Sequence, residues 1–374
     1  MDLLLKGVLM RSLELTQADE ALVEKFAGSL FEACLASMEL ANIELGARLG
    51  LYEALAEAGP MTAGELASRS GIVERYAREW LEQQAVAGVV TVDDVTMSPD
   101  ERRFELPKAH AHVLLDENSD AYMRMCASVV PWMAKALDIM EVEFQRGTGV
   151  PFEQFEVHDI QAAMTRPVFM NHLTQNWLRA LPELQAMLDD GAPVRIAEVG
   201  CGEGLAAIRI ALAYPNAQVY GFDLDEPSIR AALEAAAKAG VADRTHFEVR
   251  DAADPEIKGD FDLVMAIEMI HDVPDPVGVL RTMRTLAGSK GTVLVVDERA
   301  DAAFNVPTTE MERFFYAFST LHCLAVSMQN NGAGTGTVIR PETVREYATE
   351  AGFTSVETLG VAHPQFVLYR LTSS

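Results

Sequence analysis

The residues best placed for chemistry are Glu198-Val-Gly200-Cys201-Gly202-Glu-Gly204, directly after the apolar run Val194–Val199 and opening a helical stretch. Glycines at such a spot allow a tight turn and let a ligand approach the backbone. Glu198 ends the apolar run, where its carboxylate can reach a ligand or the loop amides, and Cys201 reads as a small apolar filler. A dinucleotide fingerprint would place its third glycine at 205; Leu205 stands there, so the spacing is G-x-G-x-G. Asp223 closes the next strand, 21 residues beyond Gly202. An acid in that place can accept the protons of both ribose hydroxyls. Asp251, in Val249-Arg-Asp-Ala252, closes a third strand and can accept a bond from an amino group on a purine. Any one of these acids alone would read as a helix N-cap. Three at successive strand ends around a glycine loop read as a nucleoside site.

A second constellation follows in Ala266-Ile-Glu268-Met-Ile-His271-Asp272-Val-Pro-Asp275. A neutral imidazole, with a pKa of about 6.5, can take a proton from a phenol or similar hydroxyl. Asp272, or the Asp297-Glu298 pair after a later strand, could fix its tautomer; the plainer role for His271 is a helix cap or a bond to a carbonyl. Asp272, Asp297 and Glu298 could also supply oxygen ligands, but nothing in their spacing demands a metal, and none is expected. His172, Trp132 and Phe169 before this region, and Phe315, Phe318 and His322 on a stretch read as one helix over 312–326, are candidates for a pocket wall. His110, His112, His246 and His363 read as structural.

The elements that must position these groups alternate from about residue 192. Strands are predicted at Val194–Val199, Gln218–Phe222, His246–Val249, Phe261–Ile267, Thr292–Asp297, Ser355–Leu359 and Phe366–Leu371. Helical stretches lie between them, giving a doubly wound α/β sheet. The gap before the last strand is too short for a crossover, so that strand should run antiparallel.

Upstream, the pattern predicts a long helix over 15–46 with Leu22, Phe26, Leu30, Cys34 and Met38 along one face. Thr62 and Glu65 form a capping box opening another helix. A helix over 74–87 follows, with Tyr76, Trp80 and Leu81 expected inward, and then two short strands. That is a winged-helix layout. Residues 37–110 carry seven basic and thirteen acidic side chains, a poor frame for holding DNA phosphates. A dimerisation platform fits better, with the long helix as its contact.

The whole chain of 374 residues has 30 basic and 56 acidic side chains, a net charge of −26, which argues against nucleic acid as a partner. Four scattered cysteines without CxxC spacing indicate neither a zinc knuckle nor a disulfide scaffold. The opening MDLLLKGVLM carries Asp2 and makes a poor signal peptide, and no run of about 18 apolar residues suggests a membrane span. A cytoplasmic protein is the expectation. The helical, Met- and aromatic-rich stretch 116–190 could be core or pocket. The domains are therefore read as 1–115, 116–190 and 191–374.

On these residues, 192–371 resembles the class I S-adenosylmethionine-dependent methyltransferases: Glu198–Gly204 matches their first motif, Asp223 their ribose acid and Asp251 their adenine-side acid. With the phrases Leu49-Gly-Leu-Tyr-Glu-Ala-Leu-Ala56 and Glu79-Trp-Leu-Glu-Gln-Gln84, nearly everything after residue 30 is similar to winged-helix methyltransferases of actinobacteria and, more distantly, to plant-type O-methyltransferases. The resemblance implies a seven-stranded Rossmann-like sheet with the last strand antiparallel, beside a mostly helical winged-helix domain that forms a homodimer. It implies S-adenosylmethionine as cofactor, S-adenosylhomocysteine as product and a small apolar or aromatic acceptor, methylated at oxygen. Gly200, Gly202, Cys201 and Glu268 would then face the methionine part, Leu224 and Ala252 the adenine, and His271 would be the base. The plant-type pattern continues with Trp after His-Asp, where this chain has Val273. Alternatives are a cofactor-sensing winged-helix regulator, a nicotinamide dehydrogenase, disfavoured by Leu205, and a catalytically inactive methyltransferase-like dimer.

Overall fold

The computed structural model describes residues 15–373 except 255 and 257, so the apolar opening lies outside the described residues. Two compact units result. One holds the described chain up to Leu115 together with Cys126–Val130, the other Asp116–Met125 and everything from Pro131. None of the described helices is long and apolar enough to cross a membrane.

The first unit begins with α1 (Gln17–Arg48), started by a capping box in which Thr16 and Asp19 each satisfy the other's backbone N–H. After it come α2 (Leu51–Ala58), α3 (Ala63–Ser70), α4 (Glu74–Val86), the two-residue antiparallel strands β1 (Thr91–Val92) and β2 (Phe104–Glu105), and α5 (Lys108–Leu115). The expected Thr62–Glu65 capping box opens α3. Leu51, Tyr52, Leu55, Leu66, Trp80, Leu81 and Phe104 form the core. Helix α4 buries Ala77, Trp80, Leu81 and Gln84, the i, i+3, i+4, i+7 set of a single helical face. Tyr76 falls outside that stripe and is 73% exposed, so its expected inward position is corrected. The apolar residues of α1 are likewise exposed: Leu22, Phe26, Leu30 and Met38, and also Val23, Phe31 and Leu35, which widen the expected single face.

The second unit starts with helical cover. From Pro131 onward α6 (Met125–Arg146), whose residues Cys126–Val130 count with the first unit, leads through α7 (His158–Val168) into a π-helical stretch, Phe169–Trp177, and then α8 (Pro182–Asp189). The sheet follows as β3 (Val194–Val199), β4 (Ala217–Asp223), β5 (Thr245–Val249), β6 (Leu263–Ile267), β7 (Thr292–Glu298), β8 (Ser355–Thr358) and β9 (Phe366–Thr372), in the order β5-β4-β3-β6-β7-β9-β8. Helices α9 (Leu205–Ala213), α10 (Glu226–Ala239), α11 (Pro276–Ala287) and α14 (Pro341–Glu350) run between the strands. Strand β9 is antiparallel to both β7 and β8, as its short approach dictates. The central strands are buried on both faces, the mark of a parallel sheet covered by helices. Strand order reverses between β3 and β6, and a crevice opens beyond the carboxyl ends there.

One predicted helix is broken. Instead of 312–326 there are α12 (Glu310–Leu321) and α13 (Cys323–Ser327), parted at His322, whose φ of −148° and ψ of −81° leave the helical region. The fourth predicted strand starts at Leu263 rather than Phe261, because the Phe261 N–H turns to the Leu286 carbonyl.

Candidate active site

The glycine loop joins β3 to α9. Gly204 is the N-cap of α9 with φ of 73°, and a Cβ there would lie 2.6 Å from the Phe247 ring. That double constraint places the third glycine at 204 rather than 205. Asp223, at the end of β4, accepts the Gly202 N–H at 2.8 Å on one oxygen and the Asp225 N–H at 2.9 Å on the other. It therefore braces the loop and still presents lone pairs to the crevice. Burial raises its pKa above the usual carboxylate range.

Glu198 sits inside β3, paired in register with Gly221 and Met265, and is 3% exposed. Its Oε2 is buried without a partner, and burial pushes its pKa up to about 8. Glu268, just beyond β6, has φ of 53°, a conformation that costs a non-glycine residue and is concentrated at functional sites. Its pKa rises to about 7, chiefly through burial.

These groups face one cavity of about 1560 Å³, lined entirely by the second unit. A single small ligand ordinarily takes roughly 300–1,000 Å³, so there is room for a nucleoside ligand and a second molecule. Its wall includes the cofactor candidates Glu198, Gly200, Cys201, Gly202, Asp223, Leu224, Asp251, Ala252 and Glu268, together with His271 and Asp272. Asp251 is exposed and its carboxylate holds the Ala253 N–H at 2.9 Å, so it shapes its own turn.

His271 is 3% exposed, with Nδ1 2.6 Å from Asp297 Oδ1 and 2.8 Å from Glu298 Oε2. A carboxylate only accepts, so Nδ1 carries the proton. Nε2 lies 3.2 Å from Asp272 Oδ1, off line for a hydrogen bond. Asp272 therefore stands beside the other nitrogen, and Asp297 fixes the tautomer, while Glu298 Oε2 stands close to Nδ1 without a hydrogen bond. Desolvation alone would strip the ring of its proton, but Glu298, Asp272 and Asp297 outweigh it and hold the His271 pKa well above 6.5. Burial keeps Glu298 well above the usual range, whereas the His271 charge overrides burial to hold Asp297 and Asp272 below it. The donor atoms of His271, Asp297 and Glu298, and those of His271, Asp272 and Cys323, lie within 4.8 Å of one another, close enough for a metal ion. At 2.6 Å the Nδ1–Oδ1 contact is that of a charge-assisted hydrogen bond, which accounts for the first grouping by itself.

Among the pocket candidates, Phe169, His172, Phe315 and Phe318 line the cavity. The π-helical stretch turns Phe169 and His172 toward it while burying Leu173 and Trp177. Trp132 and His322 do not line it. Trp132 stacks on Phe318 from behind, ring centroids 5.2 Å apart, and donates to the Phe155 carbonyl. His322 is fully buried 4.7 Å from the Phe155 ring, and burial pushes its pKa down to about 4. The sequence reading did not single out His158, whose Nε2 is 3.4 Å from Asp225 Oδ2, and took His363 as structural; both line the cavity. Neither belongs to a local motif, so only the fold could have revealed them.

Residues 191–351 match the family described as Methyltransferase domain, and residues 36–115 the Rv2258c-like winged HTH domain. The chain carries a methyltransferase domain. The chain is 38% identical over 104 residues to the 27-O-demethylrifamycin SV methyltransferase of Amycolatopsis mediterranei (strain S699), covering 28% of this chain and 38% of that protein. The ubiquinone biosynthesis O-methyltransferase of Ralstonia nicotianae (strain ATCC BAA-1114 / GMI1000) is 33% identical over 124 residues, 33% of this chain and 48% of that one. The chain thus spans less than half the length of these relatives. The mitomycin 7-O-methyltransferase structure shares the fold over 96% of this chain and all of its own, with a TM-score of 0.66 at 20% identity. Human N-acetylserotonin methyltransferase, solved with S-adenosylmethionine, covers 97% of this chain and 100% of its own, with a TM-score of 0.63 at 15% identity.

Proposed function

We propose that the protein transfers a methyl group from S-adenosylmethionine to a hydroxyl of a small, largely apolar or aromatic acceptor. The observation that carries this reading is the convergence of the glycine loop, Glu198, Asp223 and the His271 cluster on one cavity large enough for two ligands. The cofactor fits the residues present: Glu198 offers a buried carboxylate oxygen without a partner, and Asp223 stands at the end of the neighbouring strand. S-adenosylmethionine supplies an activated methyl group on a sulfonium, which needs in-line positioning and, for a hydroxyl nucleophile, a base. Glu198 and Glu268 face the methionine part, where a cationic ligand favours their ionised forms and is complemented by them. Asp223 accepts from the ribose, Leu224 packs on the adenine, and Asp251 with Ala252 meets its amino group. Phe169, Phe315 and Phe318 hold the acceptor. His271 takes the hydroxyl proton on Nε2, having first given up the proton its carboxylate neighbours help it retain. Asp272 and Glu298 tune that step, and Asp297 holds the ring. We assign the protein's work to small molecules rather than DNA, because six of the seven basic side chains in 37–110 are ion-paired to carboxylates. A homodimer through α1 is supported by its exposed apolar surface, since a helix of this kind gains most of its stability from packing. The test is incubation with S-adenosylmethionine and a panel of phenols and hydroxynaphthalenes, following S-adenosylhomocysteine. Its formation only with an acceptor supports the reading; its absence across the panel, with the cofactor bound, favours an inactive methyltransferase-like protein.

A further inference from the structure

We propose that His363 selects the methyl acceptor by donating a hydrogen bond from Nε2 to an oxygen on it, remote from the hydroxyl that is methylated. The inference deepens the reading above and rests on it. His363 precedes β9 and lines the cavity with Asp120, Phe169, His172 and Phe366. Two backbone N–H groups converge on its Nδ1, from Gln365 at 3.3 Å and Phe366 at 3.2 Å. Nδ1 must therefore carry the lone pair, which places the ring proton on Nε2. Burial pushes the pKa down to about 4, so the ring stays neutral and this tautomer persists in ordinary buffers. The ring itself is fixed, stacked on Phe366 at 5.0 Å and edge-on to His172 at 4.8 Å and Trp177 at 5.9 Å.

Neighbouring polar atoms are already engaged. The Asn176 amide meets His172 Nδ1 at 3.2 Å, which leaves the His172 Nε2–H to Asp120 Oδ2, also at 3.2 Å. His172 thus offers the cavity an aromatic edge. His363 Nε2–H is a preset donor in an aromatic wall, with no hydrogen bond to an acceptor among the described residues. Such a group discriminates: an acceptor with a carbonyl or ether oxygen in reach satisfies it, and one without leaves it unpaired. The class assigned is therefore an aromatic or alicyclic hydroxyl compound carrying a second, hydrogen-bond-accepting oxygen.

The test uses two probes that differ by a single carbonyl, 5-hydroxy-1-tetralone and 5,6,7,8-tetrahydro-1-naphthol. Each is titrated calorimetrically into the full chain saturated with S-adenosylhomocysteine. His363→Asn keeps an oxygen near the Nδ1 position for the two backbone N–H groups and leaves no donor at the Nε2 position, its amide NH2 ending near where ring Cδ2 stood. The wild type should bind the ketone more tightly than the naphthol, and the variant should lose about fivefold to tenfold for the ketone alone, the worth of one hydrogen bond. Equal losses for both probes, no loss, or binding of neither probe would overturn the proposal. Because folding of the variant is a separate matter, nitrogen-15 NMR of the wild type gives a second reading. The His363 Nε2–H resonance should move on adding the ketone and stay put with the naphthol; movement with neither, or with both alike, counts against it. Failure of the cofactor reading would appear independently, as no heat when S-adenosylhomocysteine is titrated into wild type.

Discussion

Replacing Glu198 with Gln should stabilise the cofactor-free protein, and more so as pH rises. Glu198 is shut inside β3 with one oxygen unpaired, and burial pushes its pKa to about 8 from an ordinary carboxyl value of 4.5. Between those values the unfolded chain is ionised there while the folded chain holds a proton. The folded state binds more protons, so its stability falls as pH rises through that window and levels off above the folded pKa. About three and a half pH units at about 1.36 kcal/mol each gives roughly 5 kcal/mol by pH 9. Gln carries no proton to lose, so Glu198→Gln should match the wild type near pH 4.5 and gain steadily above it. Urea unfolding of both proteins from pH 5 to 9 measures this directly. A stability difference that does not change with pH would refute the assignment of Glu198 as a buried, proton-holding carboxyl. The same variant should bind S-adenosylmethionine less tightly at high pH, because the charge that complements a cationic ligand is gone.

Other outcomes follow from the same geometry. His271→Ala should lower turnover roughly a hundredfold to ten-thousandfold with cofactor affinity unchanged. In the wild type the rate should climb with pH through an inflection above 6.5, and Asp272→Asn should move that inflection down, since one of the carboxylates holding the proton is neutralised. Gly204→Ala forces a side chain onto positive φ and against Phe247, and should cost about 1–3 kcal/mol in thermal or urea unfolding. The paired change Phe26→Glu and Phe31→Glu should turn a dimer into monomers by sedimentation equilibrium, with the first unit's helical signal retained.

Much of the sheet was legible because parallel strands buried on both faces appear as short apolar runs, and their ends are marked by Gly204, Asp223 and Glu268. The capping box at Thr62 and the antiparallel last strand followed from equally local rules. The break at His322 did not, because aromatic periodicity runs through it without a Gly or Pro to mark it. Tyr76 was misplaced because the buried stripe of α4 is set by Ala77, Trp80, Leu81 and Gln84, and one residue along a helix turns the side chain by about 100°. Trp132 and His322 have the composition of a pocket wall, but the sequence does not say which side of Phe318 they lie on. The pairing of His271 with Asp297 rather than Asp272 is a tertiary fact: the two are 26 residues apart, brought together by adjacent parallel strands.

S-adenosylmethionine binding in the crevice beyond the carboxyl ends of β3, β4 and β6 depends most directly on Asp223 at the end of β4. Calorimetric titration of S-adenosylhomocysteine into wild type and Asp223→Ala tests it directly. Saturable one-site binding to the wild type and at least a tenfold loss in the variant, about 1.4 kcal/mol or more, are expected. Equal affinity in the two proteins, or no binding to the wild type, would contradict it.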